Sequence, residues 1–187
     1  MGALVWALLV PACGYNGVID KDEAVKASWS EVENQYQRRA DLVPNLVNTV
    51  KGAANFEQST LTAVVEARAK ATSINVDASI LDDPERLKQF EQAQSQLSGA
   101  LSRLLATVES YPDLKASAAF RDLMVQLEGT ENRIAVARRR HIETVADYNA
   151  YVQKLPTSLG AKIRGKSVRA TFTATTPGAD RAPEVKF

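Results

Sequence analysis

Apolar residues recur at intervals of three and four positions from Asp20 to Leu155, which is the period of an amphipathic α-helix. Four such stripes can be followed along this part of the chain. They predict helices at about residues 20–40, 44–72, 84–110 and 113–154. Because short connections make successive helices antiparallel neighbours, we predict an all-α fold, an antiparallel four-helix bundle over residues 14–155.

A proline sets the predicted end of the first helix. Pro44 lacks an N–H and disfavours helical geometry at Val43, while Asp41 can cap a new helix. A turn at about residues 40–43 is therefore predicted. The apolar phase continues across Pro44, which leaves a single kinked helix as the alternative.

The third helix has the clearest predicted start. Asp82 and Glu85 have the spacing of a capping box with Asp in place of Ser or Thr, and Pro84 suits the first turn. The sequence Tyr-Pro-Asp at residues 111–113 ends this helix and begins the fourth. Residues 73–81, rich in Asp, Ser and Asn, are predicted to be the longest loop.

The first thirteen residues are uncharged and mostly apolar, as in a secretory signal segment. Twelve residues of helix rise ~18 Å, too little to span a hydrocarbon core of ~30 Å. Val10, Pro11 and Ala12 precede the only cysteine in a pattern that resembles a lipobox. Residues 1–13 are therefore predicted to be a signal peptide that leaves Cys13 attached to membrane lipid. The alternative is a short apolar tail with an incidental cysteine.

The last stretch, residues 156–187, has no apolar stripe and is rich in Thr, Ala, Pro and Gly. It contains six basic and two acidic residues, a net charge of +4, whereas residues 20–155 have a net charge of −3. A loosely ordered tail is expected, and the alternatives are a basic tail that touches anionic phospholipid or one that folds back on the acidic bundle. The alternation at residues 168–173 permits one short strand.

Composition excludes several classes of chemistry. The net charge of +1 is no signature of a nucleic-acid binder. One His and one Cys are too few for a zinc site, a disulfide framework or a Cys–His nucleophile pair with a spare ligand. His141 is expected to be partly buried or interfacial, since no second His exists. No nucleophile elbow, phosphate-binding loop or dinucleotide fingerprint is present. We therefore predict no catalytic residue, no metal and no cofactor.

Charged residues interrupt two of the apolar stripes. The first stripe reaches Arg39, and the fourth reaches Glu131 and then Arg138. A charge on an apolar face must be paired or reach water, because an isolated buried ion costs several kcal/mol. We predict a network that joins Arg39 or Arg38 with Glu131, and Arg138 with an acid on a neighbouring helix, and that fixes helix register. A ligand pocket built on the same charges is the alternative, and a catalytic role for these residues is the least favoured of the three.

Two strings in the sequence, RRADLVPNL at residues 38–46 and LEGTENRI at residues 127–134, resemble those of the LemA family of bacterial membrane-associated proteins. Cys-Gly-Tyr-Asn at residues 13–16 is similar to the lipoprotein-like branch of that family. The resemblance implies a four-helix bundle held at a membrane, without an established enzymatic activity or cofactor. The polar family-motif residues that it marks are Arg38, Arg39, Asp41, Asn45, Glu131, Asn132, Arg133 and Arg138.

Together these features predict a non-enzymatic lipoprotein, anchored through Cys13 on the periplasmic side of a bacterial membrane. It would act as a scaffold or binding partner for envelope proteins or for the bilayer itself. The alternative function is a small-ligand or peptide-binding module with an inter-helix pocket at the Arg/Glu cluster. The one enzyme class that the sequence still allows is a hydrolase that uses carboxylates.

Overall fold

The structure is a computed structural model that describes residues 2–53 and 56–172, with side chains from residue 16 onwards. Six α-helices and one 3₁₀ helix account for the regular structure of these residues, and no strand occurs among them. The all-α class is confirmed, but the predicted count of four helices is not. The helices are α1 (Gly2–Lys51), α2 (Gln58–Ser73), α3 (Pro84–Val108), α4 (Pro112–Ala116), α5 (Ala118–Gln153) and α6 (Thr157–Ile163), with the 3₁₀ helix at Ala78–Asp82.

Four long helices form the body of the protein. α1 packs mainly against α5, and α2 packs against α3. The contacts of Ser28 with His141 and of Arg39 with Glu131 show that α1 and α5 run antiparallel. Arg39 of α1 and Arg138 of α5 both reach side chains of α3.

The predicted turn at residues 40–43 is wrong, because α1 continues through Pro44 to Lys51. A proline inside a helix leaves the carbonyl four residues earlier without its usual N–H partner. That carbonyl belongs to Ala40, and the Nε atom of Arg68 on α2 donates to it at 2.7 Å. Pro44 itself is exposed, so its ring lies on the side of α1 away from the core. The chain instead leaves α1 at Gly52.

Two other predicted boundaries are corrected. The N-cap of α3 is Asp83, not Asp82, and its carboxylate accepts hydrogen bonds from the backbone N–H groups of Glu85 and Arg86 at 3.1 Å. The predicted fourth helix is divided at Ser117. The hydroxyl of Ser117 accepts from the backbone N–H of Phe120 at 3.2 Å, which caps α5 after the short α4.

The interior has two apolar clusters. The proximal core lies towards the N-terminal half of α1 and includes Val25, Trp29, Phe90, Val145, Tyr148 and Phe172. The distal core lies towards the other end and includes Val43, Leu46, Leu97, Leu104, Phe120 and Leu127. Along α1 and α5, the two cores are separated at the level of Arg39 and Glu131.

The expectation of a loosely ordered tail is wrong for residues 157–172. α6 packs on α1 and α5, and the chain then runs beside α5 without regular secondary structure. The side chain of Asn149 holds Arg169 by both backbone groups, accepting from its N–H at 2.8 Å and donating to its carbonyl at 3.0 Å. Ala170 donates to the carbonyl of Leu81 at 2.9 Å. Because these partners belong to a side chain and a 3₁₀ helix, the segment forms no strand within the described chain.

Candidate functional site

Arg39 is buried at the junction of three long helices. Its Nη1 donates to Ser98 Oγ on α3 at 2.8 Å and to Glu131 Oε1 on α5 at 3.1 Å. Its Nη2 donates to the backbone carbonyl and the side-chain Oε1 of Gln94 at 3.2 and 2.5 Å. The guanidinium carbon also lies 5.0 Å from the centre of the Tyr36 ring. We call Arg39, Gln94, Ser98 and Glu131 the polar layer.

The polar layer sits at the border between the interior and water. Arg39 is 2% exposed, whereas the side chain of Glu131 is 42% exposed. The buried guanidinium of Arg39 therefore has a counter-ion, Glu131, that stays partly hydrated. On its inner side the guanidinium meets the neutral oxygen atoms of Ser98 and Gln94. Such an arrangement offsets a buried charge without desolvating both ions, although Nε of Arg39 has no hydrogen-bond partner among the described residues. It also specifies which turns of α1, α3 and α5 lie side by side.

Arg138 makes a second bridge next to the polar layer. Its Nη2 lies 3.4 Å from Glu91 Oε1, so the acid on a neighbouring helix is a residue of α3. Its Nη1 donates to the hydroxyl of Tyr36 at 3.4 Å, and its guanidinium carbon lies 4.4 Å from the centre of the Phe172 ring. Burial raises the pKa of Tyr36, so its hydroxyl stays protonated at neutral pH. This bridge joins three helices to the C-terminal segment.

The other predicted network residues are exposed to solvent and are not brought into the network: Arg38, Asp41, Asn45, Asn132 and Arg133. Successive helical residues point about 100° apart, so the neighbours of a buried Arg39 or of Glu131 turn outwards. Arg38 is therefore not the partner of Glu131. On α1 the three exposed motif residues are spaced by three and four positions, which places them on one outer face.

A cavity of about 190 Å³ opens beside the polar layer. Its walls include Arg39, Arg138, Glu91, Glu131 and Ser95. This space is large enough for a few water molecules or one small polar molecule. A larger cavity of about 540 Å³ lies at the far end of the bundle, between the end of α1 and α4, and none of the predicted site residues lines it.

A second buried ion cluster was missed by the sequence reasoning. Asp22 on α1 is buried and accepts from Arg169 at 2.6 Å and from Lys166 at 2.8 Å, while Lys26 lies 3.2 Å away. Arg169 also pairs with Asp82 at 2.5 Å. Asp22 lies three residues before the start of the first apolar stripe, so extending that stripe backwards would have found it.

The environment of Asp22 strongly favours its ionised form. Burial alone would raise its pKa, but hydrogen bonds from Lys166 and Arg169 and the charge of Arg169 lower the pKa of Asp22 to about 2. The cluster ties the start of the bundle to the segment after α6. It is one of the contacts that hold the basic C-terminal segment on the acidic bundle.

His141 is completely buried between the rings of Trp29 and Phe172. The hydroxyl of Ser28 donates to the carbonyl of Val25 at 2.8 Å and therefore accepts from Nδ1 of His141, also at 2.8 Å. Nε2 has no hydrogen-bond partner in the described part of the protein. Burial lowers the pKa of His141 to about 4, so the ring is a neutral core residue at neutral pH.

Two further site predictions concern metals and lipid. Among residues whose side chains are described, no group of three or more His, Cys, Asp or Glu residues could hold a metal ion. Cys13 belongs to residues 1–15, whose side chains lie outside the description, so its acylation stays a prediction. Within the described helices, none is long and apolar enough to cross a membrane.

Comparisons with known proteins give one family and several relatives. The sequence model of the LemA family matches residues 28–187. Magnetosome protein MamQ of Magnetospirillum gryphiswaldense is 28% identical over 167 residues, which covers 81% of this chain and 61% of that protein. Magnetosome protein MamQ 2 of Paramagnetospirillum magneticum is 27% identical over 182 residues, covering 89% and 66%. Protein LemA of Metamycoplasma hominis is 27% identical over 133 residues, covering 71% and 56%. The chain thus spans between 56% and 66% of the length of these relatives.

Proposed function

Because this chain belongs to the LemA family, we propose that it is a lipoprotein of the bacterial cell envelope. It is anchored through acylated Cys13 on the periplasmic side of a membrane, and it acts as a non-enzymatic scaffold or binding protein. The observation on which this proposal rests most is the continuity of α1. The helix runs without a break from Gly2 to Lys51, so Cys13 belongs to the same helix as the residues that build both cores.

The continuity of α1 has a mechanical consequence. Cys13 precedes Gly17 by one helical turn, or ~6 Å, and Gly17 already contacts Tyr151 of α5. An acyl group on Cys13 would therefore hold the bundle close to the membrane surface instead of on a flexible tether. Two or three acyl chains would make this attachment stable, since one chain is marginal.

The arrangement of charges favours a structural role over chemistry. Arg39 bridges to Glu131, Arg138 to Glu91, and Arg169 to Asp22. Each pair joins two elements that are distant in sequence. These contacts orient helices and satisfy buried charges, as expected of a scaffold whose outer surface does the binding.

The outer face of α1 is the best candidate for partner binding. Arg38, Asp41 and Asn45 are exposed, share this face and belong to the family motif, although they contribute nothing to the polar layer. A photo-crosslinking residue at Asn45 should capture an envelope protein in cells, whereas the same residue at exposed Lys88 on α3 should not. Equal capture at both positions would contradict a specific partner surface.

Anchoring is tested by labelling cells with an alkyne analogue of palmitate. Because the chain has one cysteine, Cys13→Ala should abolish the label and release the protein from membranes, while circular dichroism shows the same helix content. Ala12→Gly keeps a small residue before Cys13 and should retain the label. Wild-type protein that is unlabelled and stays in the soluble fraction would overturn the proposal.

A second candidate function is supported by the cavity at the polar layer. Its volume of about 190 Å³ and its mixed charges suit one small polar ligand between helices. A ligand in envelope extracts would raise the melting temperature of the protein. Ser95→Leu, which fills an exposed edge of the cavity, should abolish that shift. No shift with wild-type protein would count against this function.

A further inference from the structure

Large apolar side chains are exposed in an unusual concentration around α6. Leu155 is 78% exposed, Leu159 53% and Ile163 71%, and Val168 is also exposed. The other large apolar residues that are exposed in the described chain are scattered over α2 and α5: Val65, Val125, Val136 and Ile142. Scattered surface valines are ordinary, whereas a cluster of leucine and isoleucine suggests a contact surface.

The exposure of Leu159 and Ile163 follows from how α6 is docked. Gly160 and Ala161 are buried against the bundle, and α6 packs on both α1 and α5. Leu159 and Ile163 are four residues apart and lie together on the outer side of the helix. The small residues hold α6 close to the bundle and leave its larger apolar side chains facing away.

The charge around this surface is positive. From Lys154 to Phe172 the chain contains five basic residues and no acidic residue. Lys154 and Lys162 are exposed beside the apolar side chains, whereas Lys166 and Arg169 pair with Asp22. Exposed lysines beside exposed apolar side chains are typical of segments that lie on an anionic bilayer.

The surface lies at the same end of the molecule as the anchoring cysteine. Lys166, just after α6, reaches Asp22 on α1, and Tyr151, just before it, abuts Gly17. Cys13 is one helical turn, ~6 Å, before Gly17. A bundle attached to lipid at Cys13 would therefore have α6 within reach of the same membrane surface.

We propose that α6 is a second membrane contact, in which Leu155, Leu159 and Ile163 enter the headgroup region of an anionic bilayer and Lys154 and Lys162 bind lipid phosphates. This proposal rests on the proposed anchoring through Cys13, which brings α6 to the membrane. The charges favour an anionic bilayer as the partner of this surface. Anionic lipid attracts the positive apolar patch and repels residues 20–155, whose net charge is −3, so the rest of the bundle faces away from the membrane. The two contacts together would fix the orientation of the bundle.

The test measures the depth of α6 in lipid. Leu159→Cys, with an environment-sensitive dye on its thiol, is prepared in the full acylated chain and reconstituted in phosphatidylcholine vesicles that contain about a third phosphatidylglycerol. Lipids with a quencher near the headgroup should quench this dye at least about tenfold more than a dye on Val125→Cys, the matched exposed valine on α5. In the Lys154→Glu/Lys162→Glu background the quenching should fall several-fold.

The outcomes separate this proposal from the anchoring proposal. An acylated protein whose Leu159→Cys dye stays in water would overturn the α6 contact and leave the anchor intact. Wild-type protein without acyl groups would overturn the anchor, and a Leu159→Cys dye that is still quenched in a Cys13→Ser background, where it is attached to position 159 alone, would support the α6 contact. A dye that is shielded before vesicles are added, or shielded only by envelope proteins, would show that another part of the chain or a protein partner covers α6, and would overturn the proposal.

Discussion

The Nε atom of Arg68 donates a hydrogen bond of 2.7 Å to the carbonyl oxygen of Ala40, the acceptor that Pro44 deprives of its helical partner. α2 thereby completes the hydrogen bonding of α1 at a point where a proline would otherwise break or kink the helix. The contact explains why α1 can stay helical from Gly2 to the distal core. Pro44 and Arg68 therefore act together: the proline removes one donor from α1, and the arginine supplies another.

The dependence of Arg68 on Pro44 can be measured by a double-mutant cycle. Arg68→Met should lower the free energy of unfolding by about 1 kcal/mol, because a carbonyl that is not bonded within the helix loses its donor. In a Pro44→Ala background the new N–H of residue 44 bonds that carbonyl, so Arg68→Met should have little further effect. Urea unfolding of the four proteins measures the coupling. Equal losses in both backgrounds would show that Arg68 stabilises the protein in another way.

The polar layer predicts an asymmetric cycle for Arg39 and Glu131. Glu131→Met leaves a buried cation without its counter-ion and should cost about 2 kcal/mol, less than for a fully buried pair because Glu131 is partly hydrated. Arg39→Met leaves Glu131 free to reach water and should cost less. The double variant should recover part of the loss of Glu131→Met. Strictly additive losses would show that the two residues do not depend on each other.

The charged residues of the polar layer could be found from the sequence because periodicity places them on apolar faces. Arg39 and Glu131 continue stripes of core residues, so each needed a partner or access to water. The course of the chain at Pro44 could not be found in this way, because the local rule for proline ignores a donor on another helix, 28 residues from the carbonyl of Ala40. α6 was missed for a related reason. Its buried residues are Gly160 and Ala161, which leave no apolar stripe.

The Asp22 cluster predicts a loss of stability in strong acid. A carboxylate whose pKa is lowered from 3.8 to about 2 on folding stabilises the protein above pH 3.8, and this stabilisation is lost as the pH falls through about 2. The loss should amount to about 2 kcal/mol. Asp22→Asn should be less stable than wild type at pH 6 and should lose less stability between pH 5 and 2. Asp147→Asn, which removes an exposed carboxylate of α5, is the matched control.

Measurements of the urea midpoint from pH 6 to 2 test this expectation. Parallel curves for Asp22→Asn and wild type would contradict it, since the substituted side chain cannot titrate. The comparison also reports on the C-terminal segment, because the partners Lys166 and Arg169 lie there. If protonation of Asp22 releases that segment first, cleavage by pepsin next to Phe172 should become faster at low pH in wild-type protein.

His141 predicts a separate loss of stability at milder pH. Its pKa falls from 6.5 to about 4 on folding, so the neutral ring stabilises the protein above pH 6.5, and this stabilisation is lost as the pH falls towards 4. The physical cause is that protonation would place an N–H at Nε2 without a hydrogen-bond acceptor, next to the rings of Trp29 and Phe172. Between pH 7 and 5 the wild-type protein should lose about 2 kcal/mol through this group.

The His141→Gln variant isolates this effect. Its amide can still donate to the Ser28 hydroxyl and does not titrate, so its free energy of unfolding should stay nearly constant between pH 7 and 5 while that of wild type falls. Ser28→Ala is the companion variant, because it removes the hydrogen-bond partner of Nδ1 but keeps the titrating ring. It should be less stable than wild type at pH 7 and should still lose stability on acidification. A wild-type protein whose urea midpoint is the same at pH 7 and 5 would show that His141 can be protonated inside the folded core.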